Sequence, residues 1–187
     1  MESNNPDESD WHDARRGDGL AFARVFDRYA NRIARHALRL VPSPHDVEDV
    51  VAVTFMEAWR RRDNIRFIDG SMLPWLLVTA TNSARNLSRA ARRHRALLDR
   101  LPPVATSGDF VDTDETAPTE IALRSLSVPD QQLITLCELY GYSAMEAAAV
   151  LGISSTAVRS RLSRARFRLA LAARNESLHV AIEGESS

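Results

Sequence analysis

Apolar residues recur at helical spacing along most of the chain, and no stretch reads as a β-strand. The pattern predicts one amphipathic helix over about residues 20–40, a second ending near Arg62 and a third from about Met72 to Leu97. A further helix is predicted over about 129–140, ahead of a helix-turn-helix between Tyr142 and Leu169. We therefore expect an all-α protein.

Polar residues and prolines indicate where the helices begin. Ser43 with the following Pro44 is a suitable start for the second helix, because proline is tolerated in a first turn. Ser71 is placed to cap the third helix, whose first turn accommodates Pro74.

The helix-turn-helix carries a capping box, a turn residue and a second cap. Ser143 and Glu146 have the spacing at which each side chain bonds the other's backbone amide. Gly152 supplies the turn, and Ser154 or Ser155 caps the final helix. The segment therefore predicts two helices joined by a tight turn.

Composition divides the chain into two small helical domains joined by a flexible acidic linker. The stretch between the third helix and the next one has too little apolar content to fold. The predicted divisions are a disordered N-terminal segment (1–17), a first domain (18–98), the linker (99–118), a second domain (119–175) and a polar tail (176–187).

The final helix has one apolar stripe and a broad polar and basic surface. Its apolar stripe consists of Val158, Leu162, Ala165 and Leu169, which must face the protein. Short polar side chains and arginines occupy the rest of the circumference, as suits a helix in the major groove. The candidates for reading bases are Ser155, Thr156, Arg159, Ser160, Ser163 and Arg164. The candidates for binding phosphates are Arg161, Arg166 and Arg168.

Charge is segregated although the formal net charge of the 187 residues is only −1. Arginines dominate from Arg85 to Arg100, acids from Asp109 to Glu120, and arginines again from Arg159 to Arg168. Two basic helical modules on one tether indicate two contacts with a single nucleic acid, because tethering raises the effective concentration of the second module.

Enzymatic and membrane functions find no support in the residues. The five histidines lack metal-ligand spacing, there is no phosphate-binding glycine loop, and the single cysteine, Cys137, excludes an internal disulfide. No apolar run approaches the ~20 residues that span a bilayer. We expect a cytoplasmic, non-enzymatic protein without cofactor, metal or small-molecule substrate.

Three segments resemble motifs of the extracytoplasmic-function sigma factors, small bacterial initiation subunits that keep only the second and fourth conserved sigma regions. They are DVEDVVAVTFMEAW from Asp46 to Trp59, WLLVTATNSARN from Trp75 to Asn86, and GISSTAVRSRLSRARFRL from Gly152 to Leu169. The resemblance covers about residues 18–98 and 120–172. It implies that the first domain is region 2 and the second is region 4.

The resemblance also implies partners and site residues. Region 2 would bind the clamp helices of the β′ subunit of core RNA polymerase, and region 4 the upstream (−35) promoter element. A loop over about Arg66 to Ser71 would take a flipped base of the downstream (−10) element. An anti-sigma factor is a further implied partner. The implied polymerase contacts are Asp46, Glu48, Asp49, Ala52 and Met56. The implied downstream-element residues are Arg66, Phe67, Asp69, Asn82, Arg85, Asn86 and Arg89.

Alternative interpretations remain at this point. The acids that begin the second helix also stabilise its exposed amides without any partner. The helix-turn-helix suits a stand-alone regulator that binds duplex DNA without polymerase. A protein that binds chiefly other proteins through its acidic helix and linker is the third possibility.

Overall fold

The computed structural model describes residues 6–98 and 118–184, and within these ranges the chain is helical apart from turns and loops. One single-residue β-bridge joins Ile68 and Ser71. The helices are α1 (Pro6–Arg15), α2 (Gly19–Leu38), α3 (Asp46–Arg60), α4 (Leu73–Leu98), α5 (Pro118–Ser125), α6 (Val128–Leu133), a π-helical continuation π1 (Ile134–Leu139), α7 (Ala144–Leu151) and α8 (Ser155–Gly184). The all-α prediction is confirmed.

The prediction that residues 1–17 are disordered is wrong for Pro6–Arg15, which form helix α1. Trp11 is 2% exposed, contacts the ring of Phe22 and donates its indole N–H to the carbonyl of Arg62 over 3.1 Å. Asp10 forms ion pairs with Arg24 and Arg28 of α2. The segment is polar in composition, but the burial of Trp11 and the ion pairs of Asp10 hold α1 against α2.

Helices α2, α3 and α4 form the core of the first domain. Asp18 caps α2 by accepting the amide hydrogens of Leu20 and Ala21 over 2.8 and 3.1 Å. The start of α3 differs from the prediction, because Ser43 and Pro44 belong to a preceding turn and the helix begins at Asp46. The fully buried side chains that join the three helices include Val25, Ile33, Val50, Leu76 and Leu77.

Helices α5 to α8 form the second domain, and its predicted caps are confirmed. The Ser143 and Glu146 capping box begins α7, and Gly152 ends it at a φ of 68°. The Ser154 hydroxyl accepts the Ala157 amide hydrogen over 3.1 Å, which decides between the two serines proposed as the cap of α8. The left-handed conformation at position 152 is one that only glycine adopts without strain.

Two predicted segments lie at the edges of the described ranges. Most of the predicted polar tail after Asn175 belongs to α8, which continues to Gly184. Neither proline nor glycine interrupts the chain before that residue, so nothing in the backbone stops the helix. The predicted flexible linker, apart from Pro118 at the start of α5, lies outside the described residues.

The two domains pack against each other through α4, which contacts α6, π1 and α7. The ring of Tyr140 lies edge-on to His36 of α2, with centroids 6.0 Å apart. The Arg124 guanidinium donates to the carbonyl of Arg39 over 3.2 Å. The second domain therefore lies over the surface that α2 and α4 share.

Candidate nucleic-acid interface

Helix α8 presents the surface that its sequence pattern predicts. Val158 and Ala165 are fully buried and Leu162 is 7% exposed, which fixes the rotation of the helix on its domain. Among the predicted base-reading residues Ser155 is half-buried and the others are solvent-exposed, namely Thr156, Arg159, Ser160, Ser163 and Arg164. The structure therefore groups these side chains on one accessible face.

Arginines on this face fall into two sets. Arg159 and Arg161 form no ion pair with any residue of the described ranges. Arg164 folds back along its own helix and donates its Nε–H to the Ser160 carbonyl over 3.3 Å. A second, 3.5 Å bond joins its guanidinium to the Ser160 hydroxyl. An arginine held only by such weak bonds within its own helix can extend toward a guanine without losing a strong partner.

Arg166 and Arg168 have partners inside their own domain. Arg166 donates twice to one Glu138 carboxylate oxygen, at 2.9 and 2.7 Å, and Arg168 binds the Asp130 carboxylate at 2.6 Å. Asp130 is 6% exposed, so its carboxylate needs this guanidinium. Both arginines, which the sequence proposes as phosphate ligands, thus form ion pairs within the domain while their side chains stay more than half exposed.

The second candidate surface lies on α4 and the loop that precedes it. Asn82, Asn86 and Arg89 are exposed at successive turns of α4, and Arg85 is half-buried beside them. The loop closes on itself at the bridge between Ile68 and Ser71, whose backbones exchange two hydrogen bonds of 2.9 Å. Between them the loop turns sharply and carries the remaining candidates.

The loop candidates have different environments. Asp69 is exposed at a φ of 48°, a left-handed conformation that aspartate tolerates better than most residues. Phe67 packs partly against the core, and Arg66 is exposed. Arg66 and Asp69 are therefore the solvent-exposed candidates of this loop.

Several of these residues contact the second domain. Arg66 donates to the carbonyl of Ala149, and Arg85 donates to the carbonyl of Arg124 over 3.3 Å. Gln132 donates its side-chain amide to the Asn82 oxygen over 2.9 Å. The surface predicted to bind the downstream element is thus partly covered in this arrangement.

The loop also approaches α7, where Asp69 interacts with Glu146. Hydrogen bonds from Ser143 lower the pKa of Glu146, with a smaller contribution from Asp69. The main cause is the capping box, since it offers donors to the ionised carboxylate.

The first turn of α3 carries the acids predicted to contact polymerase. Asp46 is half-buried, whereas Glu48, Asp49 and Ala52 are exposed and Met56 is 69% exposed. No side chain caps the start of α3 at His45. The acids therefore have a favourable interaction with the helix dipole whether or not a partner binds.

An apolar groove lies beside these acids, between α2 and α3. It has a volume of about 310 Å³ and is bordered by Glu48 and Asn31 at its edges. Its apolar lining residues are Phe26, Ala30, Ala34, Val47, Val51 and Ala52. An apolar groove with an acidic edge is suited to a helical protein partner with basic residues.

Two further properties bear on the class of protein. Residues 6–98 and 118–184 contain no group of three His, Cys, Asp or Glu side chains placed to hold a metal ion. Within the same ranges, no helix combines the length and apolar content that a bilayer crossing requires.

Two small helical domains, one with an exposed polar face on a helix-turn-helix and the other with amides and arginines along α4, define a two-site DNA-binding protein. Residues 25–94 match the family described as Sigma-70 region 2, and residues 121–169 match Sigma-70, region 4. These matches coincide with the two domains of the fold.

Individual sigma factors are similar over nearly the whole chain. RNA polymerase sigma factor NccH of Alcaligenes xylosoxydans xylosoxydans is 30% identical over 165 residues, covering 83% of this chain and 88% of NccH. ECF RNA polymerase sigma factor SigM of Mycobacterium tuberculosis is 30% identical over 155 residues, covering 82% of this chain and 78% of SigM. The chain belongs to the ECF family of RNA polymerase sigma factors.

A solved structure supports the same assignment. The chain is similar to CnrH in its complex with the cytosolic domain of CnrY, with a TM-score of 0.60 and 30% identity. The match covers 89% of this chain and 96% of that one. The protein is therefore a promoter-recognising initiation factor, and the stand-alone regulator is not favoured because it explains only the C-terminal helices.

Two sets of contacts near the site have no signal in the local sequence. One set links α1 to the loop before α4 and joins Asp7, Tyr29 and Ser71. The other set, Arg124 and Gln132, contacts the first domain. No local pattern reveals these contacts, because they join residues that are 22 to 50 positions apart.

Proposed function

We propose that α8 reads the upstream element in the major groove while the first domain, bound to core polymerase, captures and opens the downstream element. The exposed face of α8, opposite the buried stripe, carries this proposal. Ser155, Thr156, Ser160 and Ser163 offer hydrogen bonds to base edges, and Arg164 offers a forked guanidinium. Arg159 lies on the same face. Arg161, Arg166 and Arg168 supply charge for phosphates, the last two by exchanging their ion pairs with Glu138 and Asp130.

In the first domain, the exposed amides of Asn82 and Asn86 hydrogen-bond bases of the melted strand. Arg85 and Arg89 follow its phosphates, and the loop around Asp69 takes the flipped base. Because Asn82, Arg85 and Arg66 contact the second domain in this structure, that domain must move away before they bind DNA.

Polymerase binds across α3 and the apolar groove beside it. The acids Asp46, Glu48 and Asp49 face basic residues of the clamp helices, and Ala52 and Met56 contribute apolar contact. Regulation by an anti-sigma factor is part of the proposal, and the similarity to CnrH in its complex with CnrY supports it. The chain itself makes and breaks no bond, and it works in the cytoplasm where polymerase transcribes.

The test of promoter reading uses Arg164→Ala in the complete holoenzyme. If Arg164 pairs with a guanine, the variant loses about 1–3 kcal/mol of promoter binding and accepts other bases at one position of the upstream element. Transcription in vitro from templates with each base substituted in turn measures the change. Arg174→Ala, an exposed arginine further along α8, is the control of equal charge.

Two results would contradict the proposal at different levels. An equal loss on every template would show that Arg164 binds only phosphate. Failure of the unmodified chain to associate with core polymerase, or to start RNA synthesis from any template of a random promoter library, would overturn the proposal as a whole.

A further inference from the structure

A series of hydrogen-bonded polar side chains, buried at Asp7 and Tyr29, connects the N-terminal helix to the loop before α4. Tyr29 of α2 is 3% exposed, and its hydroxyl contacts both the Asp7 carboxylate and the Ser71 hydroxyl, the latter over 2.9 Å. Asp7 is also 3% exposed and binds the Arg28 guanidinium at 2.5 Å. The three elements α1, α2 and the loop therefore meet at one hydroxyl.

The groups at the two ends of this series determine which atom donates in each hydrogen bond, because the Asp7 carboxylate only accepts and the Leu73 amide only donates. The Asp7 carboxylate accepts the Tyr29 hydroxyl proton, so the Tyr29 oxygen is left to accept from the Ser71 hydroxyl. The Ser71 oxygen in turn accepts the Leu73 amide hydrogen over 3.2 Å, at the start of α4. The hydroxyls of Tyr29 and Ser71 then each donate one hydrogen bond and accept one.

Ser71 also holds the shape of the loop. Its backbone exchanges two hydrogen bonds of 2.9 Å with Ile68. Between these two residues Asp69 and Gly70 have positive φ values of 48° and 72°. Aspartate tolerates this left-handed conformation better than most residues, and the bonds between Ile68 and Ser71 close the turn that contains it.

We propose that Asp7, Tyr29 and Ser71 are positioning residues that hold the loop around Asp69 in the shape that selects the flipped base. By this route α1, a helix remote from the DNA-binding face of α4, contributes to base choice in the downstream element. The inference rests on the proposed function of that loop.

The experiment compares base preference at the flipped position in the full holoenzyme. Transcription in vitro is measured from four promoter templates that differ only at this base. Tyr29→Phe removes the hydroxyl and keeps the ring, and Asp7→Asn keeps the size of its side chain. Each is expected to reduce the ratio between the preferred base and the others by about two- to tenfold, the effect of one hydrogen bond.

Two further variants separate positioning from simple docking of α1. Arg15→Ala breaks the 2.7 Å ion pair of α1 with Asp63 without touching Ser71, and it should leave the base preference unchanged. Ser71→Ala should reduce the preference, whereas Ser71→Thr retains a hydroxyl and should restore most of it. Thermal melting of each variant reports the loss of stability separately.

The loop variant Asp69→Asn distinguishes failure of the positioning role from failure of the proposed function of the loop. Asparagine adopts positive φ readily, so this variant changes the chemistry offered to the base and spares the backbone. If Asp69→Asn alters base preference but Tyr29→Phe and Asp7→Asn lower only the melting temperature, the positioning role is overturned and the loop function stands. If none of these variants, Asp69→Asn included, alters the preference, both are overturned.

Discussion

At the scale of single residues, the fold strongly changes the pKa of His36. This histidine is fully buried between the two domains, and burial lowers its pKa to about 4, with a smaller contribution from Arg39. Thr81 donates its hydroxyl to the Leu77 carbonyl, so it must accept from Nε2 of the histidine, 3.0 Å away. Nδ1 then has no hydrogen-bond partner in the described part of the chain.

We predict that this histidine makes the protein less stable in mild acid. Its pKa is depressed on folding from 6.5 to about 4, so the unfolded state binds more protons between these values. Stability is therefore complete above about pH 6.5 and falls as the pH drops toward 4, with a limiting slope of about 1.4 kcal/mol per pH unit. Urea unfolding at a series of pH values measures the slope.

The comparison for this prediction is between two histidine variants. His36→Gln should flatten the pH dependence, because it removes the group that titrates, although it lowers stability at neutral pH. His45→Gln, at an exposed position before α3, should leave the slope unchanged. A wild-type slope that survives in His36→Gln would assign the effect to other groups.

At the scale of secondary-structure elements, α7 and α8 follow directly from their sequence whereas α1 does not. Capping boxes, a left-handed glycine and an apolar stripe act within a few residues, so local pattern predicts them. Helix α1 is stabilised chiefly by contacts of Trp11 with residues of α2 and with the end of α3. Such long-range contacts leave no periodic signal in ten residues.

We predict that Trp11→Ala releases α1 and destabilises the first domain by about 3–5 kcal/mol, the usual cost of truncating a buried tryptophan. The loss includes the hydrogen bond to the Arg62 carbonyl. Urea unfolding gives the free energy. Trp59→Ala is the matched control, and its cost should be clearly smaller because Trp59 is 41% exposed. Equal costs would mean that α1 contributes little to the fold.

At the scale of the whole molecule, the main feature is the contact of the second domain with the surface proposed to bind the downstream element. Hydrogen bonds from Gln132 to Asn82 and from Arg85 to Arg124 join the domains, and His36 packs on Tyr140. On the proposed function, DNA and the second domain therefore compete for the same side chains. If only a fraction of the molecules has this surface uncovered, the apparent affinity for DNA is reduced by that fraction.

We predict that Gln132→Ala strengthens binding of a single-stranded downstream-element oligonucleotide to the free protein. The variant removes one hydrogen bond of the covering contact, which corresponds to a gain of up to about tenfold. Fluorescence anisotropy without polymerase measures it. Asn175→Ala, which removes an exposed amide elsewhere in the second domain, should bind as the wild type does. Unchanged or weaker binding by Gln132→Ala would show that the contact does not compete with DNA.

Some properties of the candidate functional residues can be predicted from the sequence, whereas others are seen only in the structure. The spacing of Val158, Leu162 and Ala165 is enough to predict which side of α8 is exposed, and hence its candidate base-reading residues. It does not show that Arg166 and Arg168 pair with Glu138 and Asp130, because those acids lie 28 and 38 residues away. A basic run alone does not distinguish an arginine available to DNA from one with a partner.

The sequence by itself determined the helices with strong local signals, the division into two domains and the family, since caps, apolar periodicity and short motifs act over a few residues. Only the tertiary structure decided that α1 docks on α2, that Tyr29 links Asp7 to Ser71, and that the second domain covers part of α4. The physical reason is that these features are pairings between distant side chains. Their geometry depends on how whole helices pack, which no single segment encodes.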